Sequence, residues 1–267
     1  MIKTFRIFGA GEWGLAVANH LACLDNRVEV FLRDDNKLNQ YNESLFCKRL
    51  NLSFDKKIIF RNLEELNHLL NNEDNFNIIA SSSSGFADII NSYSVYFKSC
   101  QSIIWLTKGL DHSKGLLFHE IIDQILSPDI KKCIISGPSF AKDLVAAKPL
   151  RVSIASTCDI LANSIIETME TENLKFEKTA DIIGVELSGI IKNISGILAG
   201  ILTANLYPDE YIEELISLSQ IDVKNIARKI TSDQSSYMVT EAELEKTVRS
   251  PSCYGDMRLT CYFNTSR

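Results

Sequence analysis

Short apolar runs and helical patterns alternate through the first two thirds of the chain. Phe5–Phe8, Val28–Leu32, Ile58–Phe60, Phe76–Ala80, Ser102–Leu106, Cys133–Ile135 and Arg151–Ala155 read as strands. Between them, Leu15, Ala16, Ala18, Leu21 and Ala22 share one helix face, and Leu63–Leu70, Phe86–Phe97 and Leu116–Leu126 carry helical spacing. This alternation predicts βα units, a mainly parallel sheet and helices on both of its faces. Ligands of such sheets sit outside the carboxyl ends of the strands. Three polar segments begin there: Arg33-Asp34, Ser81–Ser84 and Thr107-Lys108-Gly109.

The pattern changes near residue 180. From Ile182 the chain reads helical, and Asp209–Ile230 is a second helix with Pro208 at its start, where a missing N–H costs little. The reading is therefore two domains, 1–180 and 181–267, the second without a convincing strand.

The first strand runs into Gly9-Ala10-Gly11-Glu12-Trp13-Gly14, a GxGxxG turn followed by a helix. That unit brings backbone N–H groups against a pyrophosphate: the first glycine closes the turn, the second admits the phosphates, and the third lets helix pack on strand. By itself the spacing also describes an ordinary tight turn. With a strand before it and a helix after it, it predicts a dinucleotide-binding, Rossmann-like, doubly wound domain.

Glu186–Gly196 is the second informative stretch. Ile183, Val185, Leu187, Ile190, Ile191, Ile194, Ile197, Leu198 and Ile201 leave almost no polar face, so the helix is expected to be buried. Lys192 sits within it. Either its stem snorkels to the surface or it is a desolvated amine serving as a general base. Gly189 and Gly196 are costly in a helix and imply close approach of another backbone or a ligand. Ile182–Leu202 is long and apolar enough to question as a membrane span, but Glu186, Lys192 and Asn193 are expensive in lipid, which favours a buried helix and no stable membrane insertion.

Composition narrows the classes. At 267 residues with 45% hydrophobic content, a sizeable core is available. A net charge of −6 without a basic run argues against a nucleic-acid surface. Seven scattered cysteines without a CxxC pair suit reduced thiols in a cytoplasm. Lys3 and Arg6 interrupt the apolar start, so no signal peptide is read there. The histidines at 20, 68, 112 and 119 match no metal-ligand spacing and are expected on surfaces or helix faces.

Further blocks complete a recognisable order. Thr107-Lys108-Gly109-Leu110, Ser136-Gly137-Pro138-Ser139-Phe140-Ala141, Gly184-Val185-Glu186-Leu187 with Lys192-Asn193, and Gly255-Asp256-Met257-Arg258-Leu259-Thr260-Cys261 with Ser266-Arg267 follow the glycine turn. With Trp13 inside that turn, the set resembles bacterial-type NAD(P)-dependent glycerol-3-phosphate dehydrogenases over residues 5–267. The fold this implies is α/β, a Rossmann-like sheet followed by an all-helical second domain.

The resemblance implies an oxidoreductase interconverting sn-glycerol 3-phosphate and dihydroxyacetone phosphate with NAD or NADP, serving glycerophospholipid synthesis in the cytoplasm. Lys192 would be the catalytic proton acceptor. Lys108, Gly137, Ser139, Asn193, Asp256, Thr260, Ser266 and Arg267 would bind substrate. Gly9, Gly11, Glu12, Trp13, Gly14, Arg33, Lys108, Ala141 and Arg267 would bind cofactor, and no metal is implied. Arg33 permits a 2′-phosphate, whereas Asp34 beside it complicates an NADP assignment.

Several positions depart from the family pattern. Glu12 stands where the family has serine or another small residue, Ser83 and Asp88 where it has proline and arginine, and Ser217-Leu218-Ser219 where it has threonine-arginine-glycine. The family continues past Arg267 with a helical segment, so the second domain is expected to be truncated. The apolar surface thereby exposed favours association, a homodimer being its simplest form. The alternative from another class is a degenerate homologue that binds dinucleotide without catalysing, and a weaker one is a related dehydrogenase acting on another hydroxy substrate.

Overall fold

The computed structural model of the chain describes residues 2–69, 75–233 and 235–262. In order, the elements are β1 (Thr4–Phe8), α1 (Glu12–Cys23), β2 (Arg27–Leu32), α2 (Asp35–Ser44), β3 (Phe46–Cys47), β4 (Leu52–Ser53), β5 (Ile58–Asn62), β6 (Asn75–Ile79), α3 (Ser83–Ser92), α4 (Ser94–Lys98), β7 (Ser102–Trp105), α5 (Phe118–Ile125), β8 (Lys131–Ser136), α6 (Ala141–Val145), β9 (Leu150–Ser156), α7 (Asp159–Met169) and β10 (Leu174–Thr179). The later elements are helices: α8 (Ile182–Ala204), α9 (Asp209–Asp233), α10 (Glu241–Arg249) and α11 (Asp256–Tyr262). The chain divides into two compact units, one of Met1–Cys133, Phe140–Leu150 and Cys158–Lys175, the other of Ile134–Ser139, Arg151–Thr157 and Phe176–Arg267.

In the first unit the strands lie in the order β5-β2-β1-β6-β7, and each adjacent pair is parallel. The chain thus reverses direction across the sheet beside β1, with β2 on one side and β6 on the other. That is the switch point where ligands of open parallel sheets bind. The apolar runs fill the interior: Phe5, Ile7, Phe8, Val28, Val30, Phe31, Ile78 and Ile79 are fully buried.

A polar row fixes the register. Arg6 on β1 pairs directly with Glu29 on β2 and Asn77 on β6. Arg6 Nε donates to Glu29 Oε2 at 2.9 Å, Arg6 Nη1 donates to the Tyr96 hydroxyl at 2.8 Å, and that hydroxyl donates to Asn77 Oδ1 at 2.7 Å. All four side chains are buried, so a one-residue slip would strand charged groups in the core. Burial alone would raise the Glu29 carboxyl. The hydrogen bond and charge of Arg6, with Arg61 and Arg27, outweigh it and hold the carboxyl below its ordinary value.

In the second unit α8 packs against α9 and α11. Its first half is buried, including Ile183, Val185, Leu187 and Ile191, as a helix apolar all round should be. Its second half corrects that expectation: Ile194 (55%), Ile197 (68%), Leu198 (43%) and Ile201 (54%) are exposed, at the spacing of one helix face. Among the described residues α8 is the one helix long and apolar enough to cross a membrane by composition. His119 departs from the surface reading as well, being fully buried.

Candidate functional site

The glycine turn closes where the ends of β1, β2 and β6 meet. Gly9 N–H donates to Phe31 O and Ala80 N–H to Phe8 O, each at 2.9 Å. Gly9 has φ +117°, and a Cβ there would lie 2.6 Å from Ala80 O. Gly14 is glycine for a different reason: its Cβ would meet the Ala80 Cβ at 2.9 Å, so it sets how closely α1 approaches β6. A Cβ on Gly11 would meet only Ala80 O, at an ordinary 3.9 Å, so the fold does not demand glycine there. What demands it is bare backbone at the amino end of α1, the place an anion takes.

The turn forms one wall of a cleft of about 610 Å³. Gly9–Gly14, including Glu12 and Trp13, face Arg33, Asp34 and Lys37 from the end of β2, Ser81, Ser82 and Asp88 after β6, and Lys108 after β7. Arg49, on the loop between β3 and β4, also lines it. Each of the three lining carboxylates lies against a cation: Glu12 with Arg49 at 2.8 Å, Asp34 with Lys37 at 3.8 Å and Asp88 with Arg33 at 3.9 Å. Asp34 Oδ1 also accepts the N–H groups of Asn36 and Lys37, capping α2. The sequence complication at Asp34 therefore has a local account, since that carboxylate serves its own helix. A cradle without side chains, set among cations, fits an adenine dinucleotide.

A second cluster forms within the second unit. Lys192 Nζ on α8 donates to Asp256 Oδ1 at 2.9 Å, with side chains 15% and 2% exposed. A turn later on α8, a Cβ on Gly196 would come within 2.7 Å of Thr260 Cγ2, so the glycine lets α11 close onto α8. The approach expected from Gly196 is thus a side-chain contact with α11. Asp256 follows a wide helical turn, Pro251–Gly255, in which Gly255 N–H reaches back five residues to Ser250 O at 3.3 Å. Ser153 Oγ accepts Ser252 N–H at 3.0 Å and ties that turn to β9. Pro138 lies 3.6 Å from the position of a Gly255 Cβ, which places Gly137–Ser139 beside the turn that carries Asp256.

Asp181 anchors the other end of α8. Its Oδ1 accepts Gly184 N–H at 2.7 Å, and burial raises the carboxyl above its ordinary value despite that bond and the Thr247 hydroxyl. Asn193 projects outward and its Nδ2 donates to Gly189 O at 3.3 Å, within its own helix.

Two groups of the expected residues are thereby assembled. Gly9, Gly11, Glu12, Trp13, Gly14, Arg33 and Lys108 share the cleft, and Lys192, Asp256 and Thr260 share the α8–α11 contact, with Gly137 and Ser139 flanking Pro138 at the turn that precedes α11. Ala141 begins α6 and is not among the residues that line the cleft. Ser266 and Arg267 lie outside the described residues. Lys37 and Arg49 were not anticipated. Lys37 could have been inferred from its position one turn beyond the second strand, whereas nothing local marks Arg49.

Comparison with known proteins places these motifs in one family. The NAD-dependent glycerol-3-phosphate dehydrogenase amino-terminal profile matches residues 4–162 and the carboxyl-terminal profile residues 181–267. The chain belongs to the NAD-dependent glycerol-3-phosphate dehydrogenase family. It is 31% identical over 279 aligned residues to the glycerol-3-phosphate dehydrogenase [NAD(P)+] of Francisella tularensis subsp. novicida, covering 100% of this chain and 77% of that protein. The crystal structure of the glycerol-3-phosphate dehydrogenase of Coxiella burnetii superposes with a TM-score of 0.84 at 25% identity, over 99% of this chain and 77% of that one. The Plasmodium falciparum enzyme, at 17% identity, TM-score 0.78 and coverage of 98% and 74%, shows the same fold.

Proposed function

We propose that the chain is an oxidoreductase interconverting sn-glycerol 3-phosphate and dihydroxyacetone phosphate with NAD or NADP. The observation that carries this reading is the Lys192–Asp256 pair, in a chain whose amino-terminal unit holds a bare glycine cradle among cations. A dinucleotide held by that cradle would supply the hydride chemistry at the secondary carbon, oxidation of the alcohol and reduction of the ketone being its two directions.

The residues of the chain manage the proton and the charges. In ketone reduction, protonated Lys192, held by the Asp256 carboxylate, donates to the oxygen that becomes the secondary hydroxyl. In the reverse direction neutral Lys192 accepts that proton. Thr260, Gly137 and Ser139 orient the substrate, Lys108 polarises the reacting oxygen, and Asn193, Ser266 and Arg267 take the phosphate, for which a guanidinium fork is well suited. Gly9, Gly11, the backbone at Glu12, Trp13, Gly14, Arg33 and Lys108, with Ala141 and Arg267, hold the dinucleotide. In this reading residues 1–180 form the dinucleotide-binding domain, which also lends Lys108, Gly137 and Ser139 to the substrate, and 181–267 form the substrate domain that carries the lysine. The product serves glycerophospholipid synthesis in the cytoplasm, and the exposed face of α8 supports a homodimer. Purified protein assayed with dihydroxyacetone phosphate and reduced dinucleotide tests the proposal.

A further inference from the structure

Glu12 opens α1, and its carboxylate lines the cleft beside the turn that would receive a pyrophosphate. A negative charge there suits the helix amino terminus but opposes the ligand. Glu12 does not stand alone. Arg49 Nη2 meets Glu12 Oε1 at 2.8 Å, and both residues line the same cleft. Arg49 comes from the short β3–β4 hairpin, which is held to β5 by aromatic contacts: Phe54 lies 5.0 Å from Phe60, and Tyr41 packs on both rings. Its side chain is 79% exposed, so the ion pair adds little to folding stability. Its consequence is local charge at the mouth of an anion site.

We propose that Arg49 is a cofactor-affinity residue acting through Glu12. Its guanidinium cancels the carboxylate that would otherwise repel the dinucleotide diphosphate, and the two residues function as one coupled unit. The inference rests on the dinucleotide reading of the cleft. Coupling is the distinguishing property. A residue that merely contacts the ligand contributes whether or not Glu12 is present, whereas a counter-charge matters only while Glu12 is charged.

The test is a double-mutant cycle read by equilibrium binding of NADH and NADPH, using quenching of protein fluorescence in the full chain. Arg49→Ala is expected to weaken binding by about tenfold. In a Glu12→Ser background the same change is expected to cost less than about twofold, and Glu12→Ser alone is expected to leave affinity equal or higher. Arg49→Lys, which keeps the charge, should retain most of the affinity, and raising the salt concentration should narrow the gap between wild type and Arg49→Ala. Thermal unfolding of each variant reports that the fold is kept. Equal losses from Arg49→Ala in both backgrounds, or no loss in either, would overturn the proposal while leaving the dinucleotide reading intact. A wild-type chain that binds neither dinucleotide would overturn both.

Discussion

Lys192 Nζ donates to Asp256 Oδ1 across 2.9 Å, and the two residues are 64 positions apart in the chain. One sits in the middle of a long apolar helix, the other at the start of a short helix behind a wide turn. The pair leaves the lysine side chain 15% exposed and the aspartate 2% exposed. Replacing Asp256 by Asn keeps the shape and removes the counter-charge. Asp256→Asn is expected to lower kcat by about 10²- to 10³-fold with little change in dinucleotide Kd. Steady-state kinetics with a parallel binding titration separate the two effects.

The glycines of the turn should not behave alike. Gly9→Ala puts a Cβ 2.6 Å from Ala80 O at a φ of +117°, and is expected to destabilise the fold by about 2–4 kcal/mol. Gly11→Ala meets only an ordinary contact, and its unfolding midpoint should correspond to a change below about 1 kcal/mol while dinucleotide affinity falls. Denaturant unfolding beside a binding titration distinguishes a residue needed by the fold from one needed by the ligand.

Gly196 offers a second steric test. Alanine gains about 1 kcal/mol of helix propensity, yet its Cβ would lie 2.7 Å from Thr260 Cγ2. Gly196→Ala is expected to destabilise the chain and reduce kcat. Adding Thr260→Ser, which deletes the clashing methyl group, should recover most of the stability. A double-mutant cycle on the unfolding midpoints measures the recovery.

Much of this was legible in the sequence because local patterns carried it. The glycine spacing placed β1, the turn and α1, and the ordered blocks named Lys192, Asp256 and Thr260. The strand β10 was not read, because Lys175, Glu177 and Lys178 break its apolar pattern. The two-residue strands β3 and β4 have no periodicity to detect. Phe86–Phe97 proved to be two helices, with Tyr93 as the break. Arg49 was invisible for a different reason, since its meaning depends on a partner 37 positions earlier that only the tertiary structure brings to it. The exposed Ile194–Ile201 face could not be separated from the buried half of α8, because both halves are equally apolar in sequence.

The Arg6–Glu29 pair predicts the acid behaviour of the fold. The Glu29 carboxyl is held below its ordinary value, so its contribution to stability is present above the unfolded value near 4.3 and is lost as pH falls through the lower folded value. Unfolding free energy should therefore decline on the acid side of about pH 4.3, and Glu29→Gln should flatten that decline. At neutral pH the same variant leaves buried Arg6 without its counter-ion and should cost about 3 kcal/mol. Urea unfolding across the acid range provides the measurement.

In the proposed reaction Lys192 moves the proton between a phosphorylated three-carbon alcohol and its ketone. Its most direct test is single-turnover oxidation of NADH or NADPH by dihydroxyacetone phosphate, followed at the nicotinamide absorbance, with wild type and Lys192→Ala compared at matched dinucleotide saturation. Turnover by the wild-type chain is expected, with a loss of about 10³-fold or more in the variant and dinucleotide affinity retained. Turnover that survives Lys192→Ala at the wild-type rate would contradict the role of Lys192.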